Sequence, residues 1–265
     1  RGVTVHPPIL TGKSYLRIGT VEVGKMVIYP IIDNVDGKGN QLINWVSELQ
    51  KPNAVMNDWN RPGDPALCAD IYKDWTFDFL NVPELILKSE KVFEYPMVDK
   101  DALPFWTQGR VTLMGDAAHA IVPFYGQGMN AGFEDCRVLN ELMLKHNHDW
   151  DAVFNEYSIE RKPDGDALQD LSLDNYFVMR DYVADPEFLL RKKIEAKFSD
   201  LHPDRWLPLY SQVTFSNIRY SEAYKQGKAQ SDIMDEVMAL PNIETEWDSK
   251  IVMDILLEKS ADFKF

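Results

Sequence analysis

The sequence predicts an α+β protein with three parts: a β-rich portion over residues 1–100, a strand–loop–helix unit over 101–148, and a helical region over 149–265. Three observations carry this. Residues 15–31 alternate in strand fashion and are followed by a turn-forming stretch, Asp33-Asn34-Val35-Asp36-Gly37-Lys38-Gly39-Asn40. The run Val111-Thr112-Leu113-Met114 is closed by Gly115-Asp116 and then gives way to helical spacing. Helix-start chemistry, an acidic cap before proline, stands at Asp64-Pro65 and at Asp185-Pro186-Glu187.

Taken in order, Tyr15 to Val23 reads as a strand. On the next strand Met26, Ile28 and Pro30 share one face and Val27, Tyr29 and Ile31 the other. Leu42 to Leu49, with Trp45, returns and completes an antiparallel meander of at least three strands. A helix starts at Asp64 and runs toward Trp75, and Lys91 to Tyr95 is a further strand. Val111 to Met114 reads as a short buried strand. Helices follow over 127–145, 149–161, 163–183 and 185–198, and two more over 219–240 and 246–259.

Composition narrows the function. Of 265 residues, 28 are Lys or Arg and 42 Asp or Glu, a net charge of −14, which argues against binding a phosphate backbone and hence against a nucleic-acid partner. Two cysteines, Cys68 and Cys136, make no disulfide framework and suit a reducing compartment. No stretch reaches the roughly 18 apolar residues of a membrane helix, and the first residues lack a signal-peptide pattern. The expectation is a soluble, cytoplasmic protein without a membrane anchor. Arg1-Gly2-Val3-Thr4 has no start methionine and reads as cut from something longer.

The chemistry concentrates in residues 115–135. A glycine that lets backbone approach closely is followed by Asp116, a carboxylate placed to accept hydrogen bonds from ribose- or ribityl-type hydroxyls. Gly126-Gln127-Gly128 then opens a helix whose first N–H groups and positive dipole end suit a developing negative charge on a ligand. A bare Gly-Asp or Gly-x-Gly more often marks a turn with no ligand. The whole string, Gly115-Asp116-Ala117-Ala118-His119 through Pro123-Phe124-Tyr125-Gly126-Gln127-Gly128-Met129-Asn130-Ala131-Gly132-Phe133-Glu134-Asp135, is far more specific.

That string resembles the flavin-ribityl motif of the class A FAD-dependent aromatic hydroxylases. The resemblance implies an α/β FAD-monooxygenase type of fold: a mixed or antiparallel substrate-domain sheet, part of the FAD-binding domain, and a helical C-terminal region. It implies FAD as cofactor, NADPH or NADH as reductant, O2 and a small aromatic substrate as partners, and ring hydroxylation through a flavin C4a-hydroperoxide with no protein nucleophile and no metal. Carried over by residue, Gly115 and Asp116 would hold the ribityl and pyrophosphate region. Pro123, Gly126, Gln127, Gly128, Met129 and Asn130 would border the flavin. Pro123, Phe124, Tyr125 and Gly126 would also face substrate, with Met26 and Ile28 of the sheet expected on the opposing wall.

Within that family, residues from Gly115 to about Leu240 resemble the kynurenine 3-monooxygenases. Glu160-Arg161-Lys162-Pro163, Asp174-Asn175-Tyr176, Met179-Arg180-Asp181, Pro208-Leu209-Tyr210 and Val213-Thr214-Phe215 carry that resemblance beyond the first motif. It implies L-kynurenine as substrate and 3-hydroxykynurenine as product. Residues 1–114 are closer to phenazine- and salicylate-type hydroxylases, in Arg1-Gly2-Val3-Thr4, Asn44-Trp45-Val46, Asp58-Trp59-Asn60-Arg61 and Tyr95-Pro96-Met97-Val98-Asp99, so a mosaic or hybrid and another aromatic acid as substrate stay open. An inactive substrate-domain fragment is the remaining alternative. The family's G-x-G-x-x-G segment for the ADP half of FAD is not in these residues and is expected in cis or on a companion chain.

Leu168, Leu171, Asn175, Met179 and Tyr182 follow the spacing of one helix face. An amide on that apolar face either satisfies itself internally or binds something, and the resemblance points to the amino-acid group of the substrate, with Tyr210 alongside and Met179 lining the pocket. His119 reads as a hydrogen-bonded structural residue, His146 and His148 as a solvated helix end, and Arg191-Lys192-Lys193 as a solvated face.

Overall fold

A computed structural model of the chain describes residues 1–20, 24–49, 61–95, 99–182 and 185–265. It divides into two compact units, residues 1–98 and 99–265.

In the first unit, β1 (Gly2–His6), β2 (Leu16–Thr20), β3 (Gly24–Ile32) and β4 (Gln41–Glu48) form an antiparallel sheet in the order β1-β4-β3-β2. The expected meander is therefore β2–β3–β4, and the residues after Arg1 add β1 to its edge. Residues 21–23 of the predicted first strand, residues 58–60 and residues 96–98 lie outside the described residues. Alternation holds along β3: Met26 and Ile28 are buried while Tyr29 and Ile31 are exposed. Gly2 lies against Trp45, whose ring would stand 2.6 Å from an added Cβ.

After β5 (Arg61–Pro62) comes α1 (Pro65–Ile71), its cap Asp64 accepting from the N–H groups of Ala66 and Leu67 at 2.9 and 3.2 Å. The helix stops at Ile71, short of Trp75. β6 (Thr76–Phe77) and β7 (Leu80–Asn81) lead into α2 (Val82–Leu87), which the sequence reading missed, and then β8 (Phe93–Glu94). Asn81-Val82-Pro83-Glu84 carries the same cap-and-proline signal as Asp64-Pro65: Asn81 Oδ1 accepts from the Glu84 N–H at 3.0 Å. Both helices pack on the sheet's buried face, with Tyr72, Val82, Leu85 and Ile86 against Met26, Ile28, Ile43 and Trp45.

The second unit begins with the hairpin β9 (Thr107–Gln108) and β10 (Val111–Thr112). This corrects the buried strand expected over 111–114: only two residues pair, and Val111 is 64% exposed because a two-stranded ribbon leaves one face in solvent. Then follow α3 (Asp116–His119), α4 (Gly128–Lys145) and α5 (Trp150–Phe177), which continues as a π-turn over Val178–Tyr182. Last come α6 (Pro186–Leu201), α7 (Leu209–Phe215), α8 (Tyr220–Met238), α9 (Ile243–Glu246) and α10 (Lys250–Lys259).

The two helices predicted on either side of Lys162 are one. Pro163 removes a single ladder hydrogen bond, but Tyr157, Leu168 and Leu171 are buried on both sides of it and the Arg161–Asp164 pair bridges it, so packing overrides the break. Residue 183, the predicted end, lies outside the described residues. The helix predicted over 246–259 is also shorter, because Ser249 caps a separate α10.

Candidate cofactor cleft

Gly115 adopts φ +59° and ψ −144°, a conformation essentially confined to glycine. Its carbonyl accepts the N–H groups of Ala118 and His119, both at 2.9 Å, which starts α3 and places Asp116 at the surface of the turn. Eleven residues on, Gly126 takes φ +69° and delivers the chain to α4. Between these two turns lies a cleft of about 520 Å³ whose wall is Gly115, Asp116, Pro123, Gly126, Gly128 and Met129, with Ile121 and Gly132. A Cβ added at Gly115, Gly126 or Gly132 would meet nothing within 4 Å, so the glycines leave the backbone bare toward open space.

No side chain caps the start of α4: Gln127 sits at the cap position but turns inward. Its Oε1 accepts from Asn130 Nδ2 at 2.8 Å and from the Tyr220 hydroxyl at 3.2 Å. The first-turn N–H groups, at the positive end of an 18-residue helix, are thus left for a ligand. Of the eight residues predicted to hold the cofactor, Gly115, Asp116, Pro123, Gly126, Gly128 and Met129 line the cleft. Gln127, which is buried, and Asn130, which is exposed, are not part of that wall and bond each other instead.

The predicted substrate residues converge on the Phe124–Tyr125 step. Asn175 Nδ2 donates to the Phe124 carbonyl at 3.0 Å and lies 3.7 Å from Met179 Sδ. Tyr210 stacks on Tyr125 with ring centroids 5.4 Å apart, and Phe124 packs on Tyr176. Residues 35 positions apart in sequence therefore meet through two adjacent aromatics. Burial pushes the Tyr125 phenol up, reinforced by the neighbouring Tyr210 and Asp174. Met26 and Ile28 are placed differently: at 0% and 1% exposure they fill the core of the first unit, where neither presents surface to a ligand.

Behind the cleft is a buried ionic network that the sequence reading did not assign. Asp135 Oδ2 accepts from the Gly115 N–H at 2.8 Å and from His119 Nε2 at 2.7 Å, and Asp135 Oδ1 accepts from Arg161 Nε at 2.9 Å. Arg161 also pairs with Asp164 at 3.1 Å, and Asp164 accepts from Arg219 Nε at 3.0 Å and from the Ser221 hydroxyl at 2.6 Å. Burial opposes ionisation of Asp135, but the donors from His119, Gly115 and Arg161 outweigh it and hold the carboxyl below its usual range. The signal was in the sequence: Arg161 and Asp164 extend the apolar stripe Leu168–Leu171–Asn175 of α5, and charges on such a stripe must find partners.

His119 is thus structural, as expected. His146 bonds Glu156 through Nε2. The basic run lies on a largely exposed face, as expected, and is paired there as well: Arg191 bonds Asp235 and Ser231, Lys192 pairs with Glu195, and Lys193 lies over the Trp247 ring. No helix among the described residues is long and apolar enough to cross a membrane.

A carboxylate, bare glycine backbone and an open helix N-terminus around one cleft suit a ligand that combines a hydroxyl chain with an anionic ring edge. Residues 83–172 match the FAD binding domain family. The chain is 51% identical over 180 residues to the kynurenine 3-monooxygenase of Christiangramia forsetii, covering 68% of this chain and 38% of that one. With the kynurenine 3-monooxygenase of Flavobacterium johnsoniae it is 50% identical over 228 residues, 86% of this chain and 50% of the relative. A match of that length cannot fit within residues 115–265, so similarity to these enzymes reaches into residues 1–114. A salicylate hydroxylase solved with its substrate aligns over 91% of this chain and 48% of its own at 19% identity and a TM-score of 0.43, too distant to carry an argument. The chain spans half or less of the length of the two curated relatives.

Proposed function

We propose that this chain forms part of an FAD-dependent, NAD(P)H-consuming monooxygenase that hydroxylates L-kynurenine to 3-hydroxykynurenine. The observation that carries the proposal is the cleft between the Gly115 and Gly126 turns, in residues that match an FAD binding domain. Its volume falls in the range of small-molecule sites, and Asp116 and the bare glycine backbone supply its polar groups, which supports the reading. Bound FAD, reduced by NADPH or NADH, supplies the oxygen-transfer chemistry with O2.

The chain's own residues bind and orient. Asp116 would accept hydroxyl hydrogen bonds of the ribityl chain, and the N–H groups at the start of α4 would stabilise negative charge on the flavin ring edge. Pro123 and Gly126 would form the rim between flavin and substrate. Phe124 and Tyr125 support that rim from beneath, and Asn175, Met179 and Tyr210 would receive the amino-acid end of kynurenine. The ADP half of FAD would be held by a G-x-G-x-x-G segment in cis or on a companion chain. A reducing, cytoplasmic setting accords with the two free cysteines.

The test is the purified holoprotein. It is expected to be yellow with flavin absorbance and to oxidise NADPH or NADH in response to kynurenine, with matching 3-hydroxykynurenine. A protein that takes up no FAD overturns the reading. Stimulation with product formation by salicylate or a phenazine acid but not kynurenine replaces the substrate while keeping the chemistry.

A further inference from the structure

The Asp135 carboxylate is fully buried, yet a core between α3, α4 and α5 needs no charge to pack. Apolar residues of similar volume generally stabilise such a position as well as an ion pair does. What apolar residues cannot do is accept hydrogen bonds. Asp135 Oδ2 takes one from the Gly115 N–H immediately before α3 and another from the ring of His119 at the end of α3. Asp116, the one carboxylate in the cleft wall, lies between these two grips.

The pattern along α4 fits this division. Gly128, Met129 and Gly132 line the cleft, whereas Ala131, Asp135 and Val138 face the core. Arg161 balances the charge from behind without touching the cleft wall. Glycine reaches the Gly115 conformation without strain but is equally free to leave it, and Asp135 fixes it through the turn's own N–H.

We propose that Asp135 is a positioning residue for the cofactor cleft: by holding both ends of α3 it fixes the Gly115 turn and hence the place of Asp116 against the ligand. This rests on the flavin reading for the identity of the ligand, and on the geometry alone for the turn.

Two measurements test it. In the holoprotein, Asp135→Asn is expected to raise the FAD dissociation constant tenfold or more. Added to Asp116→Ala it is expected to change that constant less than twofold, because Asp135 acts through Asp116. Full additivity, or an Asp135→Asn affinity within twofold of wild type, overturns the proposal. Without FAD, amide exchange at Gly115 is expected to quicken tenfold or more in Asp135→Asn while exchange in α8 stays as in wild type. Unchanged exchange at Gly115 overturns the proposal, and exchange quickened equally in α8 reduces Asp135 to a packing role and overturns it as well. Asp135→Glu keeps the charge and displaces the carboxylate by one methylene, so it serves where the asparagine variant does not fold, with the same outcomes read. A wild type that binds no FAD sinks the flavin reading, and the exchange measurement still decides whether Asp135 holds the turn.

Discussion

Among the described residues of 1–98, the fully buried polar side chains are neutral. The Thr4 hydroxyl donates to the Leu85 carbonyl at 2.8 Å, the Trp45 indole N–H donates to Ser89 Oγ at 2.8 Å, and the Tyr72 and Ser47 hydroxyls meet at 2.8 Å. In residues 99–265 buried groups include full charges: Asp135, Arg161 and Asp164 are at most 3% exposed. Hydroxyls, amides and an indole N–H suffice to close a sheet over two helices. In the second unit the charges are buried beside the glycine turn that borders the cleft, so the difference sets a unit with a candidate ligand cleft apart from one packed on its own core.

The comparison breaks most sharply at Arg161. Arg161→Ala leaves Asp135 and Asp164 buried without their shared cation and is expected to destabilise the second unit by about 3–5 kcal/mol. In the first unit, Ser89→Ala removes the acceptor of Trp45 and one partner of Thr4 and is expected to cost about 1–3 kcal/mol. Urea unfolding of the two variants, followed by hydrogen exchange in each unit, checks this. Equal losses would mean that the ionic network is no more than another hydrogen bond.

Acid reaches the same carboxylate without mutation. The folded-state pKa of Asp135 is lowered, so its stabilisation is present above the unfolded carboxyl range and is lost as pH falls through the folded value. Glu48 in the first unit is raised by burial, so its contribution runs the other way: it favours the fold in acid and fades as pH rises through the folded value. Exchange in α4 and α5 is expected to quicken on acidification below about pH 4, near the unfolded carboxyl value, before exchange in β3 and β4 does. The reverse order would contradict the assignment.

The cleft itself gives a smaller effect. Asp116 is exposed, so Asp116→Ala is expected to leave thermal stability unchanged within about 0.5 kcal/mol while weakening FAD by about 1.5–3 kcal/mol, the worth of hydrogen bonds to a charged acceptor. Flavin titration and thermal unfolding of the holoprotein separate the two. Unaltered flavin affinity would remove Asp116 from the site.

Much of this was legible in the sequence, and the failures have physical reasons. Asp64-Pro65 and Asp185-Pro186 name their helices because cap and proline act within four residues. The Gly115–Asp135 string was readable because two positive-φ turns and an uncapped helix start must be written locally, in glycines. The network behind it was legible only in part: Arg161 and Asp164 stand on the apolar stripe of α5, but the partners they require lie up to 57 residues away and the stripe does not name them. Pro163 misled for the same reason: the helix survives it through Tyr157, Leu168 and Leu171, contacts that only the fold brings together. Met26 and Ile28 were correctly paired on one face, but alternation shows which side is buried and not whether core or ligand covers it.

The smallest expected effect bears on the substrate. Kynurenine carries an amino-acid group that a simple aromatic acid lacks, so its recognition calls for an amide and a phenol. On the kynurenine reading Asn175 and Tyr210 would meet that need, and both are already engaged in the protein, one with the Phe124 carbonyl and the other stacked on Tyr125. Asn175→Ala therefore removes a support of the Phe124–Tyr125 step as well as a ligand group, whereas Tyr210→Phe keeps the stacking and removes only the hydroxyl. Each is expected to weaken kynurenine binding by about 1–2 kcal/mol, roughly five- to thirtyfold, with flavin content unchanged. Of the two, Tyr210→Phe is the cleaner probe, and its effect should appear in kynurenine affinity read from the flavin spectrum and not in thermal stability. A Tyr210→Phe protein that binds kynurenine as wild type does would confine Tyr210 to its stacking role, leaving Asn175 to recognise the amino-acid group alone.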